Sequence, residues 1–142
     1  MQSQAMRNAT PAMRPIEVVG AAYAAYARRD LATIVALYHP ECELEQTALL
    51  PWGGTYRGHL GLQQFFERLT AAIDTQIVDE TLFEAGDKVV SIGCTRGVAR
   101  GTGAAFELPA VHVYTVVDGT IRRYEAYVDT PGMLRAIGHD AR

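Results

Sequence analysis

The stretch from Ala104 to Asp129, AAFELPAVHVYTVVDGTIRRYEAYVD, constrains the fold more than any other part of the 142-residue chain. Two runs of alternating apolar residues flank Asp118-Gly119, a pair that tolerates the positive φ of a two-residue primed turn, so the stretch predicts a long antiparallel hairpin. Side chains alternate along a strand with period two, which puts Phe106, Leu108, Ala110, His112, Tyr114 and Val116 on one face of the first strand. A histidine in the middle of an apolar face is the best single clue to function. Imidazole titrates near neutrality and is the commonest acid/base side chain; a structural histidine, satisfied by hydrogen bonds, is the plain alternative.

The rest of the chain can be fitted onto this hairpin. Residues 1–14 read as a loose arm, and residues 15–142 as one domain. From Pro15, suited to a first helical turn, Ile16, Val19, Tyr23, Tyr26 and Ala27 fall at helical spacing. Asp30 predicts an N-cap for a second helix, with the stripe Leu31, Ile34, Val35 and Tyr38, closed by His39-Pro40. Glu41 to Thr47 alternates strictly as a half-buried strand, its glutamates outward and Cys42, Leu44 and Gln46 inward. The Gly-rich segment LLPWGGTYRGHLG reads as a loop before a third helix from Leu60 to Ile73. Thr75 to Glu84 and Lys88 to Arg100 then predict two further strands, and Thr130-Pro131 an N-cap with proline opening a short last helix. The order α-α-β-α-β-β-β-β-α predicts an α+β domain, three helices and a short C-terminal one on a curved, mostly antiparallel mixed sheet.

Composition narrows the function classes. The chain is 49% hydrophobic and 20% charged, with net charge −3 and a pI near 5.8, so it lacks the basic face of a nucleic-acid binder. No run approaches a membrane helix, and MQSQAMRNATPAMRP carries no apolar leader segment, which predicts a cytoplasmic protein. Cys42 and Cys94 form no CxxC and read as buried thiols. Zinc spacing, a phosphate-binding glycine loop and a nucleophile elbow are missing, so neither a metal nor a cofactor is expected.

Strand parity supplies the candidate site. Arg96 shares the more apolar face of its strand with Val90, Ile92, Cys94 and Val98; it either serves a polar cavity or snorkels out at the strand's end. In the last strand Tyr124, Ala126 and Val128 share a face small enough to line a cavity, while Asp129, at the strand end before a helix, is a catalytic candidate or a cap. His112, Arg96 and Asp129 are therefore the catalytic candidates. Gln46, Tyr23, Tyr26, Tyr124 and Ala126 are the candidate ligand contacts, together with Trp52 and Tyr56 as a loop closing over an apolar ligand.

The element order, with YAAYARRDLATIVALYHPECELE, GTYRGHLGLQQFF and VDGTIRRYEAYVD, resembles the SnoaL-like branch of the NTF2-like superfamily over residues 15 to 138. The resemblance implies a cone of curved sheet and helices around an apolar pocket (the NTF2-like, cystatin-like fold), commonly in a homodimer built through the outer sheet face. That superfamily includes ketosteroid isomerases, polyketide cyclases, limonene-epoxide hydrolases and binders. Carried over, the isomerases' general-base aspartate falls on Gln46, their helix-1 tyrosine on Ala22 and their acidic donor on His112. The last-strand aspartate of the cyclases and hydrolases falls on Ala126. The expected function is cofactor-independent acid/base chemistry (isomerase, cyclase or hydrolase) on an apolar carbonyl-bearing or cyclic molecule. The alternatives are a non-catalytic binder of a small apolar ligand and a dimeric interaction module.

Overall fold

A computed structural model describes residues 13–139; the remainder of the expected arm, residues 1–12, lies outside the described residues, as do residues 140–142. The elements in chain order are α1 (Pro15–Ala27), α2 (Leu31–Ala36), β1 (Tyr38–Gln46), β2 (Gly54–Arg57), α3 (Gly58–Ala72), β3 (Ile73–Ala85), β4 (Lys88–Ala99), β5 (Ala105–Val117), β6 (Thr120–Val128) and α4 (Thr130–Ala136). They form an α+β domain with one six-stranded sheet in the order β2-β1-β6-β5-β4-β3, antiparallel except where β1 runs parallel to β6. No helix among the described residues is long and apolar enough to cross a membrane.

The hairpin forms as its sequence requires. Asp118 and Gly119 both adopt positive φ, 52° and 78°, so β5 and β6 pair from Ala110–Val128 to Val117–Thr120 around a tight turn. Curvature comes from the neighbouring strand. A Cβ on Gly97 would lie 2.0 Å from the Asp74 carbonyl oxygen, and one on Gly93 would lie 2.8 Å from that of Val78. These two glycines let β3 bend across β4, and the bulge between Val78 and Thr81 helps it do so. The concave face so made is covered by α1 over β3–β6 and by α3 over β1–β3. Phe65, Leu62, Val18, Val19, Leu44 and Ile121 are almost fully buried there, each contributing about 1.5–3 kcal/mol.

The α2–β1 boundary, the Gly-rich loop and the cap of the last helix differ from the sequence reading. Tyr38, His39 and Pro40 belong to β1 rather than to α2, because the Leu37 carbonyl accepts from Ile121 N–H (2.9 Å) and Tyr38 pairs with Ile121. The register breaks between Tyr38 and Glu43, where Pro40 has no N–H to give. The Gly-rich loop contains β2, a strand too short to show an alternating pattern, which pairs with Glu43–Gln46. The last helix is capped by Asp129, whose carboxylate accepts from Gly132 N–H (3.0 Å), so Thr130 is already helical.

Candidate functional site

Register alone assembles the centre of the site. Ser91 on β4 pairs with His112 on β5, His112 with Ala126 on β6, and Ala126 with Gln46 on β1, giving one inward-facing row across four strands. The row beside it reads Val89, Tyr114, Tyr124 and Leu44. Adjacent strands are about 4.8 Å apart, so Gln46 and His112 flank Ala126, whose methyl leaves space between them. α1 lays Tyr23 and Tyr26, one helical turn apart, over these rows. The result is a cavity of about 80 Å³ enclosed mainly by aromatic and aliphatic side chains. Tyr26, Ile34 and Phe66 also line an outer groove between α1, α2 and α3, which is where cavity and surface meet.

His112 is only 8% exposed, and burial drives its imidazole down to about 4, so the ring is neutral at pH 7. Burial pushes the Tyr23 phenol up to about 12, which keeps its proton in place. The Tyr23 hydroxyl lies 2.8 Å from Nδ1 of His112. A neutral ring and a protonated hydroxyl share one proton across this contact, and its direction follows the ring's tautomer: with the proton on Nε2, Tyr23 donates to Nδ1. Tyr23, Tyr114 and Tyr124 meet the imidazole edge to face, with centroids 6.0, 6.2 and 5.3 Å away, while Tyr114 and Tyr124 stack at 4.7 Å. The ring is thereby fixed, with Nδ1 engaged. Nε2 has no hydrogen-bond partner among the described residues.

Most of the expected ligand contacts line this cavity: Gln46, Tyr23, Tyr26, Trp52, Tyr124 and Ala126, together with His112. Trp52 is part of the wall rather than a mobile cover, being 1% exposed. Three candidates do not line it. Arg96 projects from the outer face, where it pairs with Glu107 at 2.6 Å. The parity of β4 was inverted in the sequence reading because the inward set, Ser91, Gly93, Thr95 and Gly97, is small and polar, and the glycines must face the bending β3. Asp129 is spent on capping α4. Tyr56 lies beneath Trp52, donating its hydroxyl to the Trp52 carbonyl (2.9 Å) and receiving Arg68 (3.1 Å).

The sequence reading passed over Tyr38, Thr75, Thr95 and Tyr114, all of which line the cavity. Tyr114 shares the face of His112 and was legible there; Tyr38 was hidden by its assignment to α2. Thr95 Oγ1 and Thr75 Oγ1 are 2.5 Å apart, and Thr75 in turn donates to the Arg96 carbonyl, so this pair is satisfied internally. Among the described residues no group of three or more His, Cys, Asp or Glu is placed to hold a metal ion.

A family model described as "SnoaL-like domain" matches residues 19–124. The chain belongs to the SnoaL-like family. An NTF2-like protein from Burkholderia thailandensis is 34% identical, over 88% of this chain and 98% of its own, with a TM-score of 0.80. An NTF2-like protein of unknown function from Burkholderia pseudomallei is 28% identical over 88% and 98%, with a TM-score of 0.82. TerC, whose crystals were grown with polyporic acid, is 28% identical over 87% and 98%, with a TM-score of 0.81. No curated protein matches the chain. In this SnoaL-like domain, then, the His112–Tyr23 pair lines the cavity, and among the described residues no carboxylate does.

Proposed function

We propose that this SnoaL-like protein is a cofactor-independent enzyme that isomerises, cyclises or hydrolyses a small apolar, carbonyl-bearing or cyclic molecule. The observation that carries this reading is a buried, neutral His112 whose Nδ1 is engaged by Tyr23, which leaves Nε2 for a ligand; in this reading Tyr23 donates and Nε2 carries the proton. A neutral imidazole in an apolar-walled site donates to a carbonyl oxygen and stabilises the negative charge that develops there, as a preorganised dipole requires. Tyr23 holds the ring in the donating tautomer. Because no lining residue among those described is a carboxylate, the reading requires a substrate whose α-proton is acidic enough to pass to water admitted through the outer groove. Gln46, two strands away across Ala126, offers a second amide contact to the same molecule. That TerC was co-crystallised with polyporic acid supports an organic ligand for a domain of this shape.

The test is deuterium uptake at the α-carbon of a panel of small cyclic ketones in D₂O. Wild type accelerates exchange of at least one member over buffer, and His112→Phe, folded by circular dichroism, lowers that acceleration by on the order of 10²–10³. A second reading, a non-catalytic binder, is favoured by the missing carboxylate; binding without any acceleration selects it. The reading also includes a homodimer through the outer sheet face, supported by Ile92, Phe83 and Tyr127, which are 49%, 51% and 55% exposed there.

A further inference from the structure

The cavity around His112 adjoins the groove between α1, α2 and α3, and Tyr26, Ile34 and Phe66 line both. The two spaces differ in charge. The cavity is small, about 80 Å³, and among the described residues no Lys, Arg, Asp or Glu lines it. Its wall offers no counter-charge, so an ionic group carried into it would lose its water without gaining a partner. The groove is larger, about 550 Å³, and brings Arg29, Arg100 and Glu67 beside the apolar Leu31, Ile34 and Phe66.

The two arginines are held differently. Arg29 is engaged on both terminal nitrogens: Nη1 donates to the Tyr26 carbonyl (2.8 Å), and Nη2 donates to Asp74 (2.8 Å) and to the Thr75 carbonyl (2.7 Å). Arg100, just past β4, is pinned to the end of α3. Its backbone N–H donates to the Ala72 carbonyl (2.9 Å) and its Nε to that of Thr70 (2.6 Å). Capping a helix end is the plain structural role of such a side chain, but the cap uses Nε alone. Nη1 and Nη2 of Arg100 have no hydrogen-bond partner among the described residues, and neither Arg100 nor Glu67 forms an ion pair there. The groove therefore presents an anchored guanidinium with its outer edge free, the geometry that receives a carboxylate. Its charge reaches the junction with the cavity: burial, the largest influence, raises the Tyr26 phenol, while the Arg29 and Arg100 charges pull it down.

We infer that the ligand is two-ended, with an uncharged cyclic end in the cavity and a carboxylate that a short linker carries past Tyr26, Ile34 and Phe66 to Arg100 in the groove. The cyclic end rests on the functional reading above, whereas the carboxylate rests on Arg100 and concerns binding, so it is read without turnover. The groove is wide enough to hold water beside such a carboxylate.

The experiment titrates the protein by calorimetry with 3-phenylpropanoate and 4-phenylbutanoate, each beside its primary amide, which has nearly the same shape and no charge. At low salt the better acid is expected to bind about 3–10-fold more tightly than its amide, a preference that shrinks as salt is added. Arg100→Gln is expected to bring acid and amide to within about twofold of each other, and Glu67→Gln to enlarge the wild-type preference by about twofold. The His112 ring resonances are expected to shift with acid and amide alike, because the cyclic end is common to both. If Arg100→Gln does not fold, Glu67→Gln and the salt dependence decide the matter. Equal affinity of wild type for acid and amide, a preference that survives Arg100→Gln, His112 resonances that stay in place, or no binding by any of the four overturns the proposal. An acid preference that is lost in Arg100→Gln, in a protein that exchanges no ketone proton, would remove the catalytic reading and leave this one standing. Ketone exchange with equal affinity for acid and amide would do the reverse.

Discussion

At the scale of single residues, His112 shows burial and hydrogen bonding working together. Burial removes the imidazolium, and in the proposed reading the Tyr23 hydroxyl donates to Nδ1 and so keeps the one remaining proton on Nε2. Replacing Tyr23 by Phe leaves Nδ1 without a donor and frees the ring to take either tautomer. Exchange activity is expected to fall by about tenfold, with thermal stability lowered by about 1 kcal/mol for the lost hydrogen bond, both measurable on one preparation. A pH dependence follows from the same burial. The folded-state value is depressed from 6.5 to about 4, so an unfolded chain binds a proton here that the folded one refuses. Stability from this group is fully present above pH 6.5 and is lost as pH falls toward 4. Denaturant melts at pH 7 and pH 4.5 should show a larger loss for wild type than for His112→Phe; equal losses would remove the claim that the ring is neutral. His112, Gln46 and Ala126 were legible in sequence because simple alternation fixes their side of a strand. Arg96 was misplaced because hydrophobicity assigned the β4 faces, whereas the space needed by β3 decided them.

At the scale of elements, the curvature of the sheet depends on β4 being nearly bare on its inner side. Gly97→Ala would drive a methyl to within 2.0 Å of the Asp74 carbonyl oxygen, and backbone, not a flexible side chain, would have to move. The expected result is a loss of about 1–3 kcal/mol in a urea melt together with weakened ligand binding, since β3 carries Thr75 and Ile77 of the cavity wall. Asp129→Ala makes the opposite case. It removes the α4 cap at a cost of about 1 kcal/mol but leaves ketone exchange unchanged, because its carboxylate serves Gly132 rather than the cavity. A loss of exchange in this variant, with α4 intact, would restore Asp129 as a catalytic candidate. Long elements with clear punctuation, α1 and the β5–β6 hairpin, could be read almost residue by residue. β2 could not, because four residues opening on glycine carry no period, and the start of β1 could not, because its pairing with β6 outweighs the local helical spacing of Tyr38.

At the scale of the whole molecule, the outward side of β4 that holds Arg96 also carries an apolar strip with Ile92, set between the Arg96–Glu107 pair and the Arg123 ion pairs on the outer sheet face. Ile92, across from Val111 and Tyr127, stands at its centre. If a second copy covers this face, Ile92→Lys places a charge in the contact and should convert a dimer to a monomer in light scattering, with the fold retained. A wild-type monomer would contradict the homodimer. Cone, cavity and chemistry converge on one claim, that the molecule holds a neutral, Nε2-protonated histidine at its centre as a donor to a ligand carbonyl. Histidine-selective ¹⁵N NMR across pH 5 to 8 tests it most directly. The account predicts a His112 ring that stays neutral throughout, with the proton on Nε2 and Nδ1 accepting from Tyr23. A ring that titrates near 6.5, or that carries its proton on Nδ1, would contradict it.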